Sequence, residues 1–182
     1  MWTKSIGGNG SEIAMHLLHL KDGGLLIVGH STSATGIISG ANNGSIDGVV
    51  IKTDNNGNVI WTKVIATSGF DYVGSAVELE SGDIVVGGTL TTNGTEDFLI
   101  AKLSSTGTLI WQKTYGGSNG EAARFIDRSN DGGYVVAGEC ASSDGDVITN
   151  HGQNDCWVIG IDAHGNLKWQ KSLGGSSDDS GK

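Results

Sequence analysis

The sequence contains no proline, only two cysteines and few aromatic residues, which make up 6% of its 182 residues. Two cysteines alone argue against a zinc site, because structural zinc is held by four ligands. Basic residues are also scarce, with 11 Lys and Arg against 20 Asp and Glu, for a net charge of −9. Phosphate backbones require a basic surface, so this balance argues against nucleic-acid binding. An anionic membrane surface would also repel the chain.

Long apolar runs and familiar catalytic motifs are missing as well. No stretch approaches the roughly 20 apolar residues that a membrane-spanning helix needs, and the N-terminus lacks the apolar core of a signal peptide. We find no P-loop, dinucleotide fingerprint or nucleophile elbow. No segment shows the periodicity of an amphipathic helix. The sequence therefore predicts a chain without helices, without membrane insertion and without a recognisable active site.

Glycine, in contrast, is abundant, with 31 residues placed between short apolar runs. Such placement is typical of many tight turns, and without a Gly-X-Y period it excludes collagen. In the first part of the chain we predict strands over residues 12–20, 25–29, 47–53 and 59–65. The middle strands contain unbroken apolar runs, such as residues 25–28 and 157–159. Unbroken runs indicate sheets that are covered on both faces.

A motif of the form Trp-x-Lys-x-x-Gly-Gly recurs along the chain. It begins at Trp2, Trp111 and Trp169, with a weaker copy at Trp61, so that consecutive tryptophans are 59, 50 and 58 residues apart. A period of this size indicates a modular array. We therefore expect residues 2–8 to be the last strand of a preceding module, and residues 175–182 to begin a truncated one. The complete modules are predicted at residues 9–66, 67–116 and 117–174.

The predicted fold is all-β. Four-stranded antiparallel meanders that cover one another on both faces are the blades of a β-propeller, so we expect three blades plus one N-terminal strand. A two-sheet sandwich would show alternating polar and apolar residues, and a β-solenoid would lack the hairpin turns. Closed propellers typically have about four to eight blades, which makes this an incomplete one. Its open faces would be covered by further repeats of a parent chain or by self-association, two copies giving six blades.

Several segments resemble a bacterial propeller-like repeat family found in large secreted or cell-surface proteins. The segments that carry this resemblance are Asp-Gly-Gly-Tyr-Val-Val-Ala-Gly at residues 131–138, Asp144-Gly-Asp-Val, Asn150-His-Gly, Asp155-x-Trp-Val and residues 165–171. The resemblance covers essentially the whole chain and implies an extracellular or cell-surface location.

A more distant likeness concerns the packing of the tryptophans. Lys52-x-Asp54-x-x-Gly57-x-x-x-Trp61 resembles the tryptophan-docking motif of quinoprotein-type propellers, in which the indole packs between neighbouring blades. The resemblance implies the same structural role for all four repeated tryptophans, each burying about 200 Å². These residues are Trp2, Trp61, Trp111 and Trp169.

Two further groups of residues are candidate sites. Asp144, Asp146 and Asn150 lie in one acidic loop and could supply oxygen ligands to Ca²⁺, although their spacing is not that of an EF-hand. The alternative is an ordinary solvated turn, and no other cofactor is expected. Cys140 and Cys156 lie at the end of one middle strand and the start of the next. They are either a disulfide across the strand pair or two buried thiols.

We expect a non-catalytic structural or interaction module of an extracellular or cell-surface bacterial protein, with a protein or glycan ligand. Loops between second and third strands, at residues 31–45, 90–97 and 140–154, are predicted to carry such ligands. One alternative is a fragment of a propeller enzyme, a hydrolase or a quinoprotein-like enzyme, which would need inward-facing polar residues from several repeats. A glycan-binding propeller is the other alternative, and it would need aromatic residues in equivalent loops. Fold alone does not decide between them.

Overall fold

The computed structural model describes residues 2–38 and 46–179. These residues form three four-stranded sheets and contain no helix, so none of them belongs to a segment that could span a bilayer as a helix. Sheet 1 consists of β1 (Glu12–His19), β2 (Leu25–Ser31), β3 (Asp47–Thr53) and β4 (Val59–Ile65). Sheet 2 consists of β5 (Tyr72–Glu78), β6 (Ile84–Thr92), β7 (Thr95–Leu103) and β8 (Leu109–Tyr115). Sheet 3 consists of β9 (Glu121–Arg128), β10 (Tyr134–Cys140), β11 (Asp155–Ile161) and β12 (Leu167–Leu173).

Each sheet is an antiparallel meander, in which the spatial order of the strands follows the chain. The turn between β1 and β2 contains Gly23 at a φ of +86°, and the turn between β3 and β4 contains Gly57 at +75°. Glycine adopts positive φ at little cost because it has no Cβ. The all-β prediction, with three four-stranded antiparallel meanders, is confirmed.

A β-bulge precedes the repeated tryptophan in every sheet. The antiparallel register skips Ile60 in β4, Ile110 in β8 and Lys168 in β12, each directly before the tryptophan. A bulge bends its strand and changes the direction of the side chains beside it. The three tryptophans thus start from the same local backbone geometry.

The apolar core lies between consecutive sheets. One cluster joins Val28 of sheet 1 to Val86 and Leu99 of sheet 2. A second cluster joins Ile100 of sheet 2 to Ile159 of sheet 3. Sheet 2 is therefore buried on both faces, which explains its unbroken apolar runs.

Sheet 3 departs from the prediction that both faces are covered. Trp157 and Ile159 are fully buried, whereas Val158 between them is only half-buried. Because neighbouring residues on a strand point to opposite faces, one face of sheet 3 packs on sheet 2 and the other remains partly open.

The prediction of an N-terminal strand at residues 2–8 is wrong, because these residues form no strand in the structure. Their backbone makes an isolated bridge from Gly8 to Gly36. A strand needs a neighbouring strand for its hydrogen bonds, and none lies beside this segment among the described residues. Ile6 nevertheless packs on the outer face of sheet 1, against a cluster that contains Val49 and Ile51.

The loop predicted at residues 90–97 is a tight hairpin instead. Strands β6 and β7 extend to Thr92 and Thr95, and the turn consists of Asn93 at a φ of +51° and Gly94 at +90°. Asn-Gly is the preferred pair for such two-residue hairpins because both positions have positive φ. Parts of two other predicted segments, residues 39–45 and 180–182, lie outside the described residues.

Candidate functional site

The repeated motif residues meet at the junctions between sheets. Trp61, on the last strand of sheet 1, donates a hydrogen bond from its indole Nε1 to the carbonyl oxygen of Ser105 at 3.1 Å. A Cβ atom added to Gly107 would lie 2.8 Å from the ring of Trp61. Ser105 and Gly107 both belong to the turn between β7 and β8 of sheet 2. The indole of one sheet thus covers a glycine turn of the next.

The same relation occurs between sheets 2 and 3. A Cβ atom added to Gly165, in the turn between β11 and β12, would lie 3.1 Å from the ring of Trp111. The hydroxyl group of Tyr115, four residues after Trp111, donates to the carbonyl oxygen of Gly165. We call the three turns at residues 54–57, 104–107 and 162–165 the accepting turns.

Trp2 covers the accepting turn of sheet 1 in the same way. Its Nε1 donates to the carbonyl oxygen of Asn55 at 3.1 Å, and its ring would lie 2.5 Å from a Cβ added to Gly57. Lys4 donates from Nζ to Asn58 Oδ1 at 2.9 Å. Trp2 is 46% exposed, so its side chain covers the turn on one side and faces solvent on the other.

Trp169 differs from the other three tryptophans. Its ring lies beside Gly160, its cross-strand partner within sheet 3. It is 48% exposed, and no accepting turn in residues 2–38 or 46–179 covers it. The sequence predicted one packing role for all four tryptophans, and the structure places three of them on accepting turns.

A carboxylate stands ten residues after each repeated tryptophan. Sequence reasoning on the motif did not single out these residues, although the constant spacing is visible in the sequence. We call them the junction carboxylates, and they are Glu12, Asp71, Glu121 and Asp179. Asp71 and Glu121 lie where the chain passes from the end of one sheet to the start of the next.

The junction carboxylates accept hydrogen bonds from backbone N–H groups. Glu121, only 1% exposed, accepts from Gly117 N at 2.8 Å and from Ser142 N at 3.0 Å. Asp71, fully buried, accepts from Thr91 N at 2.7 Å and also from Thr67 N. Each carboxylate therefore ties the segment that follows the tryptophan to the end of a second strand.

Glu12 and Asp179, the junction carboxylates at the two ends of the array, also accept hydrogen bonds from nearby segments. Glu12 accepts from the hydroxyl groups of Ser33 and Ser31, and these bonds, that to Ser33 first, hold the pKa of Glu12 below its ordinary value. Asp179 accepts from Gly175 N at 2.7 Å.

A second acidic residue precedes three of the junction carboxylates by 24 positions. These residues are Asp47, Asp97 and Asp155, at or near the start of each third strand. Asp97 and Glu121 both approach Gly116. Burial, followed by the negative charges of Glu121 and Asp146, raises the pKa of Asp97 to about 6. The Asp97 carboxyl group at the junction between sheets 2 and 3 therefore loses its proton less readily than an ordinary aspartate.

The three predicted calcium ligands are each bonded to a different part of the loop region. Asp144 Oδ1 accepts from Ser118 N at 2.8 Å, and this bond lowers the pKa of Asp144. Asp146 Oδ2 accepts from Gly116 N at 3.2 Å, and Asn150 Oδ1 accepts from Gly152 N at 2.9 Å. The part of the chain that the structure describes contains no group of three or more His, Cys, Asp or Glu suited to a metal ion. These side chains order the loop, and calcium binding stays a prediction.

The disulfide alternative for Cys140 and Cys156 is wrong, because both thiols are free. The register pairs Cys140 with Asp155, and it pairs Cys156 with Glu139. The two cysteines are therefore one residue out of register and point to opposite faces of sheet 3. Cys140 is buried, which raises the pKa of its thiol to about 11.

No protein-family model and no curated protein matches this sequence. The structure is similar to that of a protein of unknown function from Bacteroides caccae, with a TM-score of 0.54 and 14% sequence identity. The alignment covers 92% of this chain and 48% of the other, so this chain spans about half of that protein's length. A eukaryotic initiation factor aligns with a TM-score of 0.48 and 12% identity, over 92% of this chain and 33% of its own. The first similarity concerns the fold alone.

Proposed function

We propose that this chain is a run of β-propeller-type blades, which serves as a non-catalytic structural and interaction module of a larger extracellular or cell-surface bacterial protein. The observation that carries the proposal is the recurring contact between a tryptophan of one sheet and the accepting turn of the next. Modules that bind their neighbours through one repeated contact are typical of arrays whose stability comes from the interfaces between modules.

The direction of these contacts supports further growth of the array. Sheet 2 receives the indole of Trp61 from sheet 1 and supplies that of Trp111 to sheet 3. Every sheet thus has one accepting side and one donating side, as in the blades of a propeller. Sheet 3 has a donating side, with Trp169, that meets no accepting turn among the described residues.

The setting and the ligand rest on the sequence. The extracellular, bacterial location is supported by the resemblance of residues 131–138 and 165–171 to repeats of secreted and cell-surface proteins. A protein or glycan ligand, the enzyme fragment and the glycan-binding propeller stay predictions.

An added module tests the proposal. We would insert a second copy of residues 117–174 directly after Gly174, which gives Trp169 an accepting turn. We expect the free energy of unfolding, measured with guanidinium chloride, to rise by at least about 2 kcal/mol, because burying one large apolar side chain contributes about 1.5–3 kcal/mol. Tryptophan emission should also shift to shorter wavelength as Trp169 becomes buried.

The matched control carries alanine in place of the accepting-turn glycine of the added module. It has the same length and differs in one residue only, but it has no room for the indole, so most of the gain should be absent. If the added module unfolds in a separate transition and leaves the rest of the chain unchanged, the array proposal is wrong.

A further inference from the structure

The described residues contain four repeated tryptophans and three accepting turns. Trp61 and Trp111 occupy two of these turns as parts of neighbouring sheets, and Trp2 occupies the third as part of an isolated segment. Trp169 remains without an accepting turn in the same residues and is 48% exposed. The donating and accepting groups are thus unequally matched within one chain.

The surface around Trp169 has the character of an interface. On sheet 2, the face that carries Trp111 also carries Phe98 and Ile100, and it packs on sheet 3. The corresponding face of sheet 3 carries Trp169, Val158 and Leu173. Leu173 is 49% exposed and Val158 is half-buried. This face, which we call the donating face, has the same strand positions as the face that joins sheet 2 to sheet 3, and among the described residues it meets no further sheet.

The accepting face lies at the other end of the chain. On sheet 2 the accepting face carries Leu99 and Ala101, which pack on sheet 1. The equivalent residues of sheet 1 are Val49 and Ile51, and here Ile6 and Ile38 cover them instead of a sheet. A cavity of 250 Å³ remains beside Ile6, and it is lined by apolar side chains of sheet 1 together with Lys4, Glu12 and His30. Val49 and Ile51 are only 4% exposed, so residues 2–8 and Ile38 bury this part of the accepting face and leave an opening beside it.

The segment that lies on this face is nearly the same in sequence as the segment that contains Trp169. Residues 2–8 read Trp-Thr-Lys-Ser-Ile-Gly-Gly, and residues 169–175 read Trp-Gln-Lys-Ser-Leu-Gly-Gly, so they differ at two of seven positions. Trp2 and Lys4 supply the hydrogen bonds to Asn55 and Asn58. Trp169 and Lys171 have the same spacing and can supply the same bonds.

We propose that a second copy of this chain is the partner of the donating face, and that residues 2–8 regulate this association by occupying the accepting turn at residues 54–57 of their own chain. The proposal rests on the proposed function, because it uses the contact that joins the sheets. Trp169 of one copy replaces Trp2 of the other, which gives head-to-tail association. Head-to-tail contacts close into a ring or extend as a filament, according to the rotation between copies.

The substitution Trp2→Ala tests this proposal, since it empties the accepting turn without touching the strands. We expect the variant to self-associate at a concentration at least tenfold lower than the unaltered chain, measured by sedimentation velocity between 1 and 100 μM at about 0.15 M salt. Salt is needed because the net charge of −9 makes the copies repel one another, and salt screens this repulsion.

Two matched variants separate docking from non-specific aggregation. Trp2→Ala combined with Trp169→Ala lacks the donating indole, and Trp2→Ala combined with Gly57→Ala fills the accepting turn. Both should sediment as monomers with an unchanged circular dichroism spectrum. A folded Trp2→Ala variant that stays monomeric at 100 μM, or association that persists without Trp169, overturns the proposal.

A second measurement does not depend on the folding of any variant. A peptide of residues 167–175, added at millimolar concentration to the unaltered chain, should displace Trp2 and shift its indole N–H signal in an NMR spectrum. An unmoved signal contradicts the proposal. If the chain with an added module is stabilised but the peptide and Trp2→Ala show no effect, the self-association fails while the array remains supported.

Discussion

Each junction between sheets depends on one carboxylate. A buried backbone N–H without a partner costs about 1–3 kcal/mol, and the chain leaving a strand exposes several of them. Glu121 satisfies Gly117 and Ser142, as Asp71 satisfies Thr67 and Thr91. A charged acceptor forms stronger hydrogen bonds than a neutral one, which explains an acidic residue at this position of every repeat.

Asp97 gives one junction a pH dependence. Its pKa in the folded chain is about 6, above the ordinary value of 3.8, so the folded state holds a proton that the unfolded state has lost between these pH values. The stability contributed by this group is therefore complete below about pH 4 and is lost as the pH rises through 6.

We predict that Asp97→Asn stabilises the chain at pH 7.5 by about 1–3 kcal/mol, because each pKa unit corresponds to about 1.4 kcal/mol. Asparagine keeps an oxygen that can accept the hydrogen bond from Thr92 Oγ1. The measurement is urea unfolding of both chains at pH 7.5 and pH 4, where the difference should nearly vanish. Asp127→Asn removes an equal charge from an exposed position and serves as control. A gain in the free energy of unfolding that is the same at both pH values contradicts the assignment of this pH dependence to Asp97.

Among the local elements, the accepting turn and the bulged strand form one unit. The bulge at Ile60 directs Trp61 out of sheet 1, and Gly107 leaves room for its ring on sheet 2. Gly107 has a φ of +81°, so it supplies both the turn conformation and the space.

We predict that Gly107→Ala destabilises the chain by at least about 1 kcal/mol more than Gly132→Ala. Both glycines have positive φ, +81° and +85°, and this conformation costs alanine about 1–2 kcal/mol. A Cβ at Gly132 meets nothing within 4 Å, whereas at Gly107 it meets the indole of Trp61 at 2.8 Å. Denaturant unfolding of the two variants measures the difference, and equal losses would show that the indole contributes little.

Strand order and the pairing of consecutive strands were predictable from local patterns, but the register within each pair was not. Turn glycines such as Gly57 and the apolar runs located the strands of all three sheets. The Asn93-Gly94 dipeptide indicates a two-residue hairpin, whereas the repeat pattern predicts a loop at residues 90–97. The positions of Cys140 and Cys156 depend on a register that one residue alters, and no local pattern specifies it.

In the molecule as a whole, sheet 2 is the central layer that couples the other two. Phe98 of sheet 2 and Trp157 of sheet 3 are both fully buried, with ring centroids 4.8 Å apart. Because both faces of sheet 2 pack on neighbours, loss of one interface affects the whole stack.

We predict that Phe98→Ala lowers the free energy of unfolding by about 3–5 kcal/mol through the cavity it leaves. Phe98→Leu keeps most of the volume and should cost less than half as much. Tryptophan fluorescence and far-ultraviolet circular dichroism should report the same midpoint in the unaltered chain, as expected for one cooperative unit. Separate midpoints would mean that sheet 3 unfolds independently.

The strands, their grouping in fours and the all-β class follow from residue order, because turns and apolar runs act over a few neighbouring residues. The junction carboxylates could also have been found from their constant distance to the tryptophans. Which indoles are covered was decided only by tertiary packing. Trp61 and Trp169 occupy the same position of the same motif, yet one meets an accepting turn and the other is half exposed. Burial depends on what lies opposite a side chain, and that is a property of the assembled sheets.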